Sequence, residues 1–567
     1  MAKTAKRALG RAAYCTPGIR DGAGLYHHLM NLRGPFSRRH LIHMGAALAP
    51  AARSVALARQ DSTTVATWTP ADGLRLAGAV QGIASLDPAL SRDVPTNFVV
   101  RQVCRGLVGY DADLNPVPEL ARSIDVAGDG LAYTFTLRTD ARFHDGRPIE
   151  AADVAYSFTR ALTPATAGGA SALAGVTYLR DIAGAGDVLA GRASTLAGVE
   201  VLDDRRVRIR LDEPSATFLM KLAAVPASIL DRHQATTDPA WWTRINGSGP
   251  FRVATVDPNT LIELRPVDAW HSAPIALAGV SIRLGLSANL PVNLFQAGEI
   301  DIVPDVLPQL VPLLRDPASG DGSGTLTETP LFALAYIALG NQRPPLDDVH
   351  IRRALQRAFP ARLIAEATLS GQVLAPVGVI PPGMLGAEWP ASMPALDVDA
   401  ARAEIAASRY GTPERVPPIR IAVADRLQAV SLRDVGERDL GLTIEVVQAN
   451  WRDFLDGLAA RRWDAYSIYW SVDYPDPEAL LWMLFGSDSA ENYTGYSNPA
   501  FDAQLAEARR RLRAEDRRKP YARAQQMLID DAAVIPLYVS IGYTLARAGI
   551  TELPVTPMGL LGLETIA

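Results

Sequence analysis

The chain has 567 residues, 48% hydrophobic and 21% charged, with 44 Gly, 41 Pro, two Cys and a formal net charge of −5. That length is about three to four times a single domain, and the globular composition excludes a disordered, collagen-like or coiled-coil chain. Two cysteines exclude a disulfide scaffold, no apolar run reaches transmembrane length, and the mild acidity leaves no footprint for nucleic acid.

The charge is unevenly spread. Residues 1–58 hold nine Lys/Arg and a single acid, Asp21, leaving 47 bases against 60 acids, a net of −13, in the rest. Ser37-Arg38-Arg39-His40-Leu41-Ile42-His43 precedes an Ala-rich stretch, Met44 to Ala52, and Ala56-Leu57-Ala58 supplies an A-x-A-like cleavage site. This pattern predicts an export signal over 1–58. The paired arginines suggest the twin-arginine route, with an ordinary Sec signal as the alternative. Residues 1–29 lack signal character, and Met30 would make a conventional start. Cys15 does not sit in a lipidation box, so no lipid anchor is expected, and Cys104 reads as a small buried hydrophobe. A soluble periplasmic product follows as the expectation.

Beyond the leader, strand-like and helix-like segments alternate. Leu74–Val80 reads as a strand, Ser85-Leu86-Asp87-Pro88 as a turn and Asn97–Leu107 as a helix. Tyr133–Arg138 alternates cleanly as a strand, and Ala151–Ala161 is helical with Val154 and Phe158 on one face. Val199–Leu211 predicts a hairpin around Asp203-Asp204. Further strands are predicted at Ile262–Leu264, Val280–Leu284, Ala335–Leu339, Ile419–Ala424 and Leu442–Val447. Further helices are predicted at Val349–Ala358, Val398–Ala407, Trp451–Arg461, Pro499–Glu515 and Asp516–Asp530. Such mixing over some 500 residues indicates α/β or α+β lobes.

Motifs for chemistry are missing. There is no phosphate-cradling G-x-x-x-x-G-K-[ST] loop, and Gly247-Ser248-Gly249 lacks the outer glycine spacing of a nucleophile elbow. His144, His233, His271 and His350 are too scattered for an obvious metal site. Asp111-Ala112-Asp113-Leu114-Asn115 starts like a calcium loop, but Pro116 stands where the sharp-turn glycine belongs, so it reads as a polar turn. No cofactor and no catalytic group is predicted.

One segment stands out. Between Trp463 and Pro477 lie Trp463, Tyr466, Tyr469, Trp470 and Tyr474, in a chain only 7% aromatic. Asp464–Trp470 is strand-like, and Asp473-Tyr474-Pro475-Asp476-Pro477 then forces a turn. Aromatics beside acids at a strand end suit an apolar ligand carrying a positive group. A core strand with a surface Asp-Pro turn is the other reading these residues allow.

Several motifs then accumulate in order: Leu86-Asp87-Pro88, Val117-Pro118-Glu119-Leu120-Ala121, Asp129 to Arg138, Phe143-His144-Asp145-Gly146 and Ala152-Asp153-Val154-Ala155-Tyr156-Ser157. Gly247-Ser248-Gly249-Pro250-Phe251, Ala297-Gly298-Glu299-Ile300-Asp301, Asp348 to Leu355, Tyr474-Pro475-Asp476-Pro477, Asn498 to Asp502 and Ile535-Pro536-Leu537-Tyr538 continue the series. Together, over residues from about 74 to 540, they resemble family-five solute-binding proteins, the dipeptide/oligopeptide-binding components of bacterial ABC importers.

The resemblance implies a two-lobed α/β flytrap of type II-like periplasmic-binding-protein fold, with an extra domain inserted in the first lobe. The implied division is 59–106, 239–325 and 537–567 for the first lobe, 107–238 for the insertion and 326–536 for the second lobe, with hinge crossings near 326 and 536. It implies a monomer that hands a peptide to an ABC permease and performs no chemistry. Non-peptide ligands (an opine, an oligosaccharide, haem or a nickel chelate) are the alternative within the family, and a secreted hydrolase is the alternative outside it. Matched motif to motif, Tyr469, Trp470 and Ser471 would pair with ligand backbone, Tyr474 would stand beside them, and Asp473 would meet the α-ammonium. Arg92, Asp93 and Val94 would face the ligand across the cleft. Ser467 occupies a place where some oligopeptide binders carry arginine, so a ligand carboxylate would be absent or need another cation; Arg426, in the loop where dipeptide binders keep an arginine, is the candidate, with a solvated surface arginine as the other reading. Tyr133, Phe135 and Leu137 are expected in the core, and His144-Asp145-Gly146 in a structural turn.

Overall fold

The computed structural model describes residues 68–566 apart from 81, 168, 170–172, 238–240, 269, 272–273, 288, 316–323, 370, 424–425, 551 and 561. The export motif and cleavage site expected within 1–58 lie outside the described residues.

The first elements follow local chemistry closely. Strand β1 (Leu74–Ala77) is followed by helix α1 (Val94–Val103). This helix begins three residues before the predicted start because Asp93 caps it, accepting the Thr96 amide at 2.8 Å, and Pro95 fits the first turn. Strands β2 (Ala121–Val126) and β3 (Ala132–Leu137) lead to helix α2 (Ala151–Ala161) and the short helix α3 (Gly175–Leu179). The predicted hairpin appears as β4 (Val199–Asp203) and β5 (Arg206–Arg210), and the short helix α4 (Phe218–Leu222) closes this module. Its antiparallel sheet has the order β2-β3-β5-β4. Period-two alternation sends Tyr133, Phe135 and Leu137 into its core, where Val154 and Phe158 of α2 cover them. Asp111 closes its turn by accepting from the amides of Asp113 and Asn115, as a polar turn does.

The chain then builds the large sheet. Strands β6 (Phe251–Asp257), β7 (Leu261–Pro266), β8 (Val280–Arg283) and β9 (Ile302–Val303) precede the sixteen-residue β10 (Gly324–Leu339). After helix α5 (Val349–Ala358) come β11 (Ile419–Val423), α6 (Arg426–Leu440), β12 (Ile444–Gln448), α7 (Trp451–Ala459) and β13 (Ala465–Ser471). Helices α8 (Glu478–Phe485), α9 (Pro499–Arg509) and α10 (Ala514–Asp530) lead into the fourteen-residue β14 (Val534–Arg547). The sheet order is β12-β11-β13-β10-β14-β9-β1-β8-β7-β6.

Two long strands therefore run through both halves of a two-lobed, mixed α/β fold. Thr325–Pro330 pairs with Ile541–Ala546 beside β9, and Leu334–Ala338 pairs with Val534–Val539 beside β13. The register shifts between Pro330 and Leu334, so the ladder is interrupted where the chain passes from one lobe to the other. That break lies a few residues along each strand from 326 and 536. One core, with Leu76, Ile262 and Ile282, serves the β1–β8 half, and another, with Ile337, Leu355 and Ile421, serves the β11–β13 half. A third buried cluster continues from the module's Phe135 and Phe158 to Tyr474, Leu481 and Phe485.

Candidate ligand-binding cleft

The best-defined wall is strand β13. Along one side it pairs with β10, with Ala333 opposite Ser471, Leu334 opposite Trp470 and Ala335 opposite Tyr469. Along its other side β11 pairs only as far as Val423 opposite Ser467. Among the described residues no strand follows there, so Ile468 to Ser471 present a main-chain edge of the kind an extended segment can extend by hydrogen bonding. Tyr469 is 46% exposed beside this edge. Its phenol is pushed up to about 12, first by desolvation and then by the charge of Asp305. Trp470 is half-buried, and its buried Nε1–H makes no hydrogen bond among the described residues. Ser471 is half-buried at the end of the strand.

Asp473 follows directly. Its Oδ1 accepts a 2.8 Å hydrogen bond from Tyr178 of α3, so the module and the second lobe touch at this carboxylate. Burial pushes the carboxyl up to about 6, against the lowering effects of the Tyr178 hydrogen bond and the Arg92 charge. Glu491, in the turn before α9, is pushed up to about 7 by burial and then by the charge of Asp473, with Arg92 again opposing. Arg92, Asp473 and Glu491 therefore lie within electrostatic reach of one another. The Arg92 charge opposes the upward shift of both carboxyls.

Neighbouring positions separate ligand-facing groups from structural ones. Asp93 is exposed, but both of its oxygens are engaged by Thr96, one by the amide and one by the hydroxyl. Val94 opens α1 and is 53% exposed. Tyr474, expected among the ligand-facing aromatics, is instead sealed in the core at 0% exposure, its ring centroid 5.3 Å from Lys221 Nζ. The turn points it inward because the alternation of β13 ends at Ser471. Asp476 is also fully buried, pairs with Arg517 at 2.9 Å and accepts the Glu478 amide. Arg426 is the first residue of α6, and its side chain lies outside the described atoms. Ser467 is buried at 2% exposure.

Tyr178 and Glu491 were not foreseen from the sequence. Tyr178 lies 295 residues from Asp473, and nothing local marks it. Glu491 sits only eighteen residues beyond Asp473, but in a polar turn without periodicity. The expected structural turn is present: His144 N–H donates to Gly247 O, and its Nε2 lies 3.0 Å from Gly249 O.

A lobed fold with an open strand edge beside a half-buried carboxylate describes a ligand-binding protein. The family model for bacterial extracellular solute-binding proteins, family 5 (middle region), matches residues 115–492, and the chain belongs to that family. The periplasmic oligopeptide-binding protein OppA of Escherichia coli K12 is 27% identical over 527 residues, covering 90% of this chain and 95% of OppA. Among solved structures, the E. coli murein tripeptide binding protein MppA superposes with a TM-score of 0.73 at 23% identity, over 87% of this chain and 97% of MppA. Helicobacter pylori DppA in complex with the peptide STSA gives 0.73 at 21% identity, over 87% and 96%. These two structures share the fold.

Proposed function

We propose that the protein is a periplasmic receptor that captures di- or oligopeptides and delivers them to an ABC permease, working as a monomer without chemistry. The observation that carries this reading is the free edge Ile468–Ser471 followed immediately by Asp473. An added peptide strand would take its main-chain hydrogen bonds from Tyr469, Trp470 and Ser471, which gives affinity without demanding particular side chains. Its α-ammonium would meet Asp473, displacing or joining the Tyr178 hydroxyl. In a closed, dry cleft such a charge-assisted bond is strengthened. Arg92, Asp93 and Val94 form the opposing wall in this reading, and Arg426 at the start of α6 takes a ligand carboxylate. The names of OppA and MppA and the peptide bound to DppA support the ligand class, and the names of OppA and DppA support the compartment. Export by the twin-arginine route without a lipid anchor, and the division at 106, 238, 325 and 536, belong to the same proposal.

The reading is tested by calorimetry with trialanine and with its N-acetylated form. Trialanine should bind saturably and remain intact, and acetylation should weaken binding at least about ten-fold, since one charged hydrogen bond is worth roughly 1.5–3 kcal/mol. Equal affinities would exclude the ammonium contact, and cleavage of the peptide would exclude a purely carrier role.

A further inference from the structure

Behind the turn that follows β13, the module meets the second lobe through buried charge. Lys221 on α4, 1% exposed, lies 2.9 Å from Asp181 and 3.2 Å from Glu478, which is itself fully buried at the start of α8. Arg509, at the end of α9, reaches the same two carboxylates at 3.1 and 3.5 Å. Thr217 donates to Glu478 at 2.8 Å and Ser215 to Asp181 at 3.0 Å. Two cations thus face two carboxylates, contributed by both bodies. Burial alone would raise the Asp181 carboxyl, but Lys221 and then Arg509 outweigh it and hold it down at about 2.

The module's two fastenings differ in balance. Toward the first lobe main-chain bonds (Ala174 N–H to Ala89 O, Ile229 N–H to Arg105 O and His144 N–H to Gly247 O, each at 2.9 Å) accompany the Arg160–Asp87 and Arg105–Glu119 ion pairs. Toward the second lobe one main-chain bond among the described residues, Ala216 N–H to Arg509 O at 2.9 Å, accompanies the side-chain network, together with Arg180 and Arg509 over the Trp482 ring. Side-chain ion pairs can part and take up water without unfolding either body, whereas main-chain ladders resist parting. Once parted, the same charges resist re-burial unless all partners return, because a lone charge left dry is strongly unfavourable.

We propose that Asp181, Lys221, Glu478 and Arg509 form a closing latch, just behind the Asp473–Tyr178 contact, that assembles only when the module docks on the second lobe and that sets how long a captured ligand is held. The latch acts on dissociation, since it is complete only after closure. Its ligand readout rests on the peptide reading above, but its assembly does not.

The chain carries its own probe. After residue 58 its only lysines are Lys221 and Lys519, and Lys519 is exposed on α10. Reductive methylation with formaldehyde, followed by peptide mass mapping, reads opening at Lys221 with Lys519 as the internal reference. Saturating trialanine should slow methylation of Lys221 at least about ten-fold and leave Lys519 unchanged. Arg509→Gln, at the rim of the network, should speed methylation of Lys221. It should also release trialanine several-fold faster by stopped-flow fluorescence, with the association rate unchanged, while Arg509→Lys should restore both. Equal labelling of Lys221 with and without bound trialanine would overturn the latch, as would wild-type labelling and release in Arg509→Gln. If trialanine does not bind the wild type, the peptide reading falls. Labelling of Lys221 in Arg509→Gln then decides the latch alone: faster than wild type upholds it, equal rejects it.

Discussion

The two walls around Asp473 are built on different principles. The second-lobe wall is a strand: Tyr469, Trp470 and Ser471 are positioned by their register with β10, and a change of side chain would leave their main-chain groups in place. The opposing wall is a loop running into a helix, where Arg92 acts through charge, Asp93 holds the first turn of α1 and Val94 is exposed at its start. In the proposed reading, recognition on the first wall would be carried by backbone and be tolerant of sequence. On the second it would depend on individual side chains, so substitutions there should tune the site without abolishing it.

The comparison can be broken first from beneath the strand wall. Asp473 and Asp476 lie three residues apart in one turn, yet one faces Tyr178 and the other is sealed against Arg517. Arg517→Met would leave the Asp476 carboxylate buried without its partner, and chemical denaturation should show a loss of about 3–5 kcal/mol of stability. A loss below about 1 kcal/mol would mean that the turn does not depend on this pair. Next in size, Asp473→Ala should weaken trialanine binding about ten- to a hundred-fold while keeping the fold, because it removes a charged acceptor at a half-buried position. The wild type should show the same dependence through pH. The ammonium needs the ionised carboxylate, and in the free protein that carboxyl is half protonated near pH 6. Affinity should therefore fall by up to about ten-fold per unit below that pH, and any share carried by Glu491 should already be lost nearer pH 7, where it takes up its proton. Affinity in Asp473→Ala should lose the Asp473 part of this dependence. An unchanged pH profile in that variant would assign the titration to Glu491.

How much of this was legible in the sequence depends on whether a feature is local. Strand β3 and helices α2 and α5 follow from alternation and spacing, because each has a buried face, and the β4–β5 hairpin follows from its turn at Asp203-Asp204. Helix α8 escaped because every one of its residues is buried, which erases the amphipathic period. Only five residues of the sixteen in β10 were predicted, since its first half is polar and interrupted by Pro330. β14 was missed altogether for a related reason: it passes through two lobes and so does not keep one pattern of burial. At the site, the strand edge and Asp473 are contiguous and could be read. Tyr178 and the Lys221 network depend on a module brought in from hundreds of residues away, and Tyr474 turned inward where the strand's alternation ended.

The smallest effect is expected on the loop wall, and it discriminates most sharply between the two principles. Asp93 was expected to face the ligand, yet its two oxygens receive the Thr96 amide at 2.8 Å and the Thr96 hydroxyl at 2.9 Å. If its task is to start α1, Asp93→Ala should cost about 1 kcal/mol of stability, as the loss of a helix cap does. Asp93→Asn, which still accepts the amide, should recover most of it. Trialanine affinity should change by less than about three-fold in both variants, because both oxygens are turned to the cap. If affinity instead falls ten-fold in Asp93→Asn with stability intact, the charge of Asp93 reaches the ligand, and the first-lobe wall recognises its ligand by the same kind of contact as Asp473.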